Sequence, residues 1–333
     1  MSITVLKPGL LTTIQDLGRY GYQKYGIIVS GAMDTYAARL SNIIVGNDEN
    51  EGVLEITMIG PSLNISKGSL ISITGADLSP TINNKKVPIG RPIYLNEDCV
   101  LSFGRCIRGY RCYLSAAGGF DVPVVMESKS TYLRAKIGGK DGRALQKGDR
   151  INIGNKSDLS RAMLNKLKMN IKKESFVSTK WYIKNFVTDN ADTTVIRVFE
   201  DRQFCNVTED SLYQFFNNPF KIDTRSDRMG YRLNGPKIEF KEKLEMISGE
   251  VSFGTIQIPP DGNPIILLAD RATAGGYPKI AHVASCDIQK LVQLKPHNKL
   301  RFEKIDLNKA EKLYLKREKY IAELKKAIKI ICI

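Results

Sequence analysis

The chain has 333 residues, 42% hydrophobic and 26% charged, a balance that supports a buried core and excludes a disordered or collagen-like chain. No apolar run reaches the roughly 18 residues that a bilayer-spanning helix needs, and MSITVLKPGLLTTIQ carries no basic leader or cleavage site, so a cytoplasmic protein is expected. The net charge of +15 is concentrated in 156–180 and 301–333, which each carry five excess positive charges, and no aromatic-and-basic interleaving accompanies them; solvated basic surface is the expectation, and nucleic acid is not.

In chain order, residues 1–155 read as a first β-rich domain. GPSLNIS, SLISITG, RPIYL, CVLSFG and RCYLSAAGG alternate or form short apolar runs bounded by turn residues. Asn83-Asn84, between Thr81-Ile82 and Lys85-Lys86-Val87, predicts a hairpin tip. Ala32–Val45 predicts a helix with Tyr36, Leu40, Ile43 and Ile44 on one face, ended by Gly46-Asn47. Residues 156–190 read as a basic linker, with a short helix near Leu159–Leu167.

A second β-rich domain is expected over 191–303, from TTVIRVFED, GTIQIP, NPIILLAD and YPKIAHVAS, with a helix at Thr208–Asn217. Over 304–333 an amphipathic helix follows, capped by Asp306. Arg19-Tyr20-Gly21-Tyr22 recurs as Arg228-Met229-Gly230-Tyr231, which suggests a duplicated unit. The fold class expected is mainly β with a few helices, built as two β-barrel domains.

Chemistry-bearing residues gather in three glycine-dense stretches. Thr12–Asp34 holds Gln15, Asp16, Arg19, Ser30, Gly31 and Asp34 just before the first helix. It is either an anion site at a helix start or a set of helix caps. In Ser130–Asp149, Gly138-Gly139-Lys140 lacks the Ser or Thr of a phosphate loop, and a tight turn into Arg143 is the simpler account.

The third stretch, Ser248–Lys279, brings Gln257, Asp261, Asp270, Arg271, Thr273, Tyr277 and Lys279 around Gly275-Gly276. Carboxylates beside cations suit acid–base or anion-stabilising chemistry, and Asp270-Arg271 as a structural ion pair is the competing reading. His282, between Ala281 and Val283, reads as a core histidine, and no motif supports covalent serine or cysteine catalysis. Six irregularly spaced cysteines and two histidines predict free thiols and no metal site.

Taken together, TTIQDLGRYGYQKYGI…SGAMD, LEITMIGPSL, SKSTYLRAKIGGKDGRALQKGD, SDRMGYRLNGP and GTIQIPPDGNPIILLADRATAGGYPKIA resemble one family, in order, over about residues 3–303. It is the biotin-dependent carboxyltransferase domain family, also called allophanate hydrolase subunit 2 or KipI-antagonist-like. The chain is most like its stand-alone members, such as the C-type subunit of 5-oxoprolinase. The resemblance implies a pair of cyclophilin-like β-barrels. It also implies work with a KipI-like B-type subunit and a LamB/YcsF-like A-type subunit in the ATP-dependent opening of 5-oxoproline to glutamate.

On this resemblance ATP is bound in the complex, with another subunit open as its carrier, and no biotin is attached to this chain. Two alternatives stay open: a KipI-antagonist regulatory protein, and a carboxyltransferase subunit of a biotin-dependent carboxylase. The cleft positions implied are Arg19, Ser30, Gly31, Asp34, Gln257, Thr273, Gly275, Gly276 and Tyr277, with Arg228 as a further substrate contact. Asp261, Asp270 and Lys279 are the expected catalytic groups. Ala272, Ala274, Lys136, Ile137 and Pro296-His297 depart from the family pattern.

Overall fold

The computed structural model describes residues 1–169, 173–184 and 192–332. The chain divides into two compact units: 1–19, 30–187 and 320–333 in the first, 20–29 and 188–319 in the second.

In the first unit the strands build sheets of seven and six members. Strand Ser2–Lys7 sits inside the larger sheet, antiparallel to Arg150–Ile153 and Ser62–Ile65. Arg108–Ala116 sits inside the smaller one, between Leu70–Asp77 and Val53–Thr57. Alternate residues of both sheets, among them Ile3, Val5, Ile14, Leu54, Ile73 and Leu114, form one core that excludes water. The hairpin expected at Asn83-Asn84 is present, with both residues at positive φ (48° and 65°) between the paired strands Thr81–Ile82 and Lys85–Lys86. Two asparagines suit such a turn because their short polar side chains tolerate the left-handed region.

Helix α1 (Thr35–Ile44) buries Tyr36, Leu40, Ile43 and Ile44, the face read from the sequence. Asp34 caps it, its Oδ1 accepting from the Ala37 amide at 2.9 Å. In the segment read as a basic linker, the short helix expected near Leu159–Leu167 is present and extends over Asp158–Met169. Helix α2 (Asp158–Met169) buries Ser160, Met163, Leu164 and Leu167, and strand Phe176–Ser178 adds to the smaller sheet beside Ile93–Leu95. The apolar stripe at i, i+3, i+4 and i+7 docks the helix, while its lysines and arginine remain outside.

The second unit is a closed barrel of seven strands. Thr193–Glu200 runs parallel to Lys299–Lys304 and antiparallel to Lys279–Val283, and the ring continues through Thr255–Gln257, Ile265–Leu267, Gly230–Asn234 and Phe220–Ile222. Helix α3 (Glu209–Asn217), capped by Thr208, packs Phe215 on Phe302 with ring centroids 4.4 Å apart. The short helix α4 (Ile288–Val292) buries Ile288, Leu291 and Val292.

Helix α5 (Leu307–Cys332) starts at Asp306, whose Oδ1 accepts from the Lys309 amide at 2.7 Å. Ala310 packs with Ala284, Cys286 and Ile305 in the second unit. Ile321, Ile328 and Cys332 join the first unit's cluster around Leu40 and Met163. The mainly β class expected from the sequence is thus observed; the ladder closes into a barrel in the second unit. None of the described helices is long and apolar enough to cross a membrane.

Candidate functional site

The sequence-predicted residues fall into both units. In the first, Asp16 is the hub of a buried polar network. Its carboxylate accepts from the Gly18 and Lys129 amides and from the Ser128 and Ser130 hydroxyls. Fully buried Arg19 donates from Nη2 to the Ser130 carbonyl at 2.7 Å, and from Nε to Val125 at 3.3 Å. Ser30, at φ 57°, donates its hydroxyl to the Thr131 carbonyl. Gly31 has φ 90° and lies so close to Gly18 that a Cβ would come within 3.0 Å of its Cα; only glycine suits that approach.

Asp34 donates its amide to the Tyr113 hydroxyl, which donates to buried Glu55. Burial, then the charges of Glu55 and Asp34, hold the Tyr113 phenol well above its usual range. Arg19, Ser30, Gly31 and Asp34 are thus used in stitching loop 128–131 and helix α1 to the sheet, and of the two sequence readings the capping one describes Asp34. Arg143 likewise spends its fork on Asp149, at 2.7 and 2.8 Å.

In the second unit a pocket of about 210 Å³ opens beside the barrel strands. Its apolar floor comes from Met229, Ile265 and Leu267, and Gln257 and Tyr277 stand on its wall. Gln257 Nε2 donates to the Tyr277 carbonyl at 3.4 Å, and a Cβ on Gly275 would fall 2.5 Å from that same nitrogen. The missing Cβ leaves the space in which the Gln257 amide lies against the backbone. Lys279, buried at 7% exposure, reaches the Glu250 carbonyl with its ammonium at 2.7 Å, under the two-stranded pairing of Gly249–Glu250 with Ala274–Gly275. The expected cluster of Gln257, Gly275, Tyr277 and Lys279 therefore assembles.

The other five expected residues of this unit take supporting places. Asp270 is locked by Arg228, whose Nε and Nη2 donate to the two carboxylate oxygens at 2.9 and 3.0 Å, both side chains being under a tenth exposed. Thr273 contributes its carbonyl, which accepts from Val251. Gly276 lies beside the Ser248 hydroxyl. Asp261 is exposed and closes its own turn by accepting from the Asn263 amide and side chain. Those bonds, helped by the charges of Lys237 and Arg232, hold its carboxyl below the usual range.

The charged groups of the pocket were less legible. Arg225 lines it but forks onto Asp223 at 2.9 and 3.0 Å. Asp227, exposed, accepts from the Met229 amide at 2.8 Å. Arg271 differs from both. Its Nε and Nη1 touch the Val251 and Leu268 carbonyls at 3.4 and 3.3 Å, and it pairs with no carboxylate among the described residues. Burial depresses its pKa, so an arriving anion would relieve a desolvated cation as well as complete an ion pair. Its neighbour Asp270 drew attention in the sequence because of its charge; which of the two is already satisfied is set by Arg228, 42 positions away.

Comparison with known proteins agrees with this architecture. The model of the carboxyltransferase domain, subdomains A and B, matches residues 25–304. A Haemophilus influenzae protein named as the C-type subunit of 5-oxoprolinase is 34% identical over 326 residues, covering 98% of each chain. The Escherichia coli protein of the same name is 32% identical, with 97% of each chain covered. Among solved structures, that of K. lactis urea amidolyase superposes with a TM-score of 0.84 at 29% identity, over 97% of this chain and 20% of that one.

Proposed function

The chain belongs to the carboxyltransferase domain family, subdomains A and B, and from that membership we propose that it is the C-type subunit of an ATP-dependent 5-oxoprolinase. The observation that carries this reading is the match to stand-alone 5-oxoprolinase subunits over nearly the whole of both chains, whereas the urea amidolyase match spans a fifth of the larger enzyme. In the reaction proposed, a lactam acid is activated with ATP and opened to glutamate, with KipI-like and LamB/YcsF-like subunits as partners in a cytoplasmic assembly.

The pocket of the second unit suits the small acid better than the nucleotide. Its volume lies below the roughly 300–1,000 Å³ of drug-sized ligand sites, and no glycine-rich turn into a helix start lines it. ATP is accordingly assigned to a partner subunit. Arg271 would take the substrate carboxylate and Gln257 would orient the ring amide against the apolar floor. No biotin is assigned to this chain.

Purified subunits mixed with 5-oxoproline and ATP test the proposal through glutamate formation. The rate is expected to collapse when this chain is omitted; an unchanged rate on omission would refute the assignment. In the complete mixture, Arg271→Ala should lower kcat/KM by about 10- to 100-fold, the loss of one charge-assisted hydrogen bond of roughly 1.5–3 kcal/mol. Arg271→Lys should recover only part of it, because an ammonium cannot fork onto a carboxylate.

A further inference from the structure

Beside that pocket the fold brings together two residues 30 positions apart. Ser252 Oγ lies 2.8 Å from His282 Nε2. The other ring nitrogen, Nδ1, lies 2.9 Å from the Val283 carbonyl oxygen. A carbonyl oxygen only accepts, so Nδ1 carries the ring hydrogen; Nε2 of the neutral ring is then bare, and the serine hydroxyl donates to it. This is the tautomer and direction that a general base needs.

The ring is held rather than loose. It stacks on Phe199 with centroids 5.1 Å apart, and strand Lys279–Val283 fixes its backbone on both sides. Gly254, at φ +100°, leaves room for it: a Cβ there would sit 3.2 Å from His282 Cε1. Burial keeps the imidazole pKa below the ordinary value, and of the charged groups facing it Asp201 raises and Arg271 lowers it. Ser252, by contrast, is exposed, so its oxygen is reachable from solvent while its base is sheltered. Thr255 fixes the serine in turn: its Oγ1 accepts from the Ser252 amide at 3.1 Å and lies 3.2 Å from the Ser252 hydroxyl.

Arg271 completes the arrangement. It donates to the carbonyl of Val251, the residue before Ser252, and its guanidinium lies 5.8 Å from the ring centroid of Phe253, the residue after. A desolvated cation that pairs with no carboxylate among the described residues thus stands next to an exposed hydroxyl that is hydrogen-bonded to a histidine.

We infer that Ser252 and His282 form a nucleophile–base pair that accepts an acyl group from an activated, anionic acyl donor such as an ester or acyl phosphate, with Arg271 holding the donor's negative charge. The serine oxygen forms a bond to the acyl carbon as its proton passes to Nε2. The bond to the leaving group breaks, the leaving group takes that proton, and an acyl-serine ester remains. Water repeats the cycle with the proton again moving through Nε2, which returns the free serine and releases a carboxylic acid. The inference stands on this geometry and is independent of the oxoprolinase reading.

The test uses the purified full chain alone. An alkyl fluorophosphonate should label one serine, forming the O–P bond, breaking P–F and releasing fluoride, and peptide mass mapping should place the adduct on Ser252. Labelling should vanish in denatured protein and in Ser252→Ala, and should slow by about 100-fold in His282→Gln. The wild-type rate should rise with pH and be half-maximal below about 6.5, the ordinary histidine value. A p-nitrophenyl ester bearing a carboxylate should give a faster burst of nitrophenolate than its neutral counterpart, and Arg271→Ala should abolish that preference. Absence of an adduct on the native wild-type chain, an adduct mapped to another residue, or an unchanged rate in His282→Gln would each overturn the pair. Because no partner subunit enters the assay, its failure is distinct from a failure of glutamate formation in the mixed system.

Discussion

Replacing Asp287 with alanine should cost the second unit about 3 kcal/mol and lower its unfolding temperature by on the order of 10 °C. Asp287 has no exposed side-chain surface. Its carboxylate accepts from the Arg197 backbone amide, from Arg197 Nε at 2.8 Å and from Arg197 Nη2, and Lys290 approaches to 3.0 Å. One carboxylate thereby ties barrel strand Thr193–Glu200 to helix α4. Without it a half-buried guanidinium and a backbone N–H lose their acceptor together. Because Arg197 keeps about a fifth of its side chain in solvent, the cost belongs at the lower end of the range for broken buried pairs.

The same site predicts a pH dependence. Burial by itself would raise the Asp287 pKa, but the Arg197 bonds and the Lys290 charge outweigh it, and the carboxyl titrates below its ordinary value. A carboxyl depressed on folding contributes stability that is fully present above the unfolded pKa, about 3.9, and is lost as pH falls through the folded value. Thermal unfolding of wild type and Asp287→Asn measured from pH 7 down to pH 3 should therefore converge as the acid limit is approached. Curves that stay parallel throughout would show that the charge of Asp287 is not what holds the strand to the helix.

Features governed by near neighbours were legible in the sequence. The Asn83-Asn84 hairpin, the Asp34 and Asp306 caps and the buried face of α1 each depend on residues at most four positions apart. The helix near Leu159–Leu167 was legible, because its stripe of Ser160, Met163, Leu164 and Leu167 has helical spacing; strand Phe176–Ser178 was not, because the lysines around it gave the segment the look of a linker. At the site, the structure places Gln257 against Gly275 and Tyr277, and the Lys279 ammonium on the Glu250 carbonyl of the neighbouring strand. Chemical roles were harder to see. Asp16 is satisfied by Ser128, Lys129 and Ser130, more than 110 positions away, and the partner of His282 is Ser252, in a stretch where no motif marks a serine as reactive. A sequence displays which charges exist; the fold decides which of them are already neutralised.

That distinction can be measured at Asp270. If Asp270 were the acid or base of the reaction, Asp270→Asn would fold normally and lose activity. The geometry predicts the reverse order of events. Both carboxylate oxygens are held by Arg228 in a nearly buried fork, and the Asp270 amide donates back to the Arg228 carbonyl at 2.8 Å, so the two residues fasten the segment after strand Ile265–Leu267 to the one before strand Gly230–Asn234. Asp270→Ala takes the paired carboxylate from a buried guanidinium and should cost about 3–5 kcal/mol, and Asp270→Asn should also lose stability, because an amide offers one acceptor where the fork needs two. Arg228→Met combined with Asp270→Leu removes both charges and replaces them with apolar volume. That double variant should regain much of the stability, since the desolvation cost disappears together with the attraction. Urea unfolding of wild type, Asp270→Ala, Asp270→Asn, the double variant and its two single parts, Arg228→Met and Asp270→Leu, decides the matter. If the double variant is as unstable as the sum of its parts, the pair is not acting as a clamp. If Asp270→Asn keeps wild-type stability while abolishing glutamate formation in the mixed system, the carboxylate belongs to the chemistry instead.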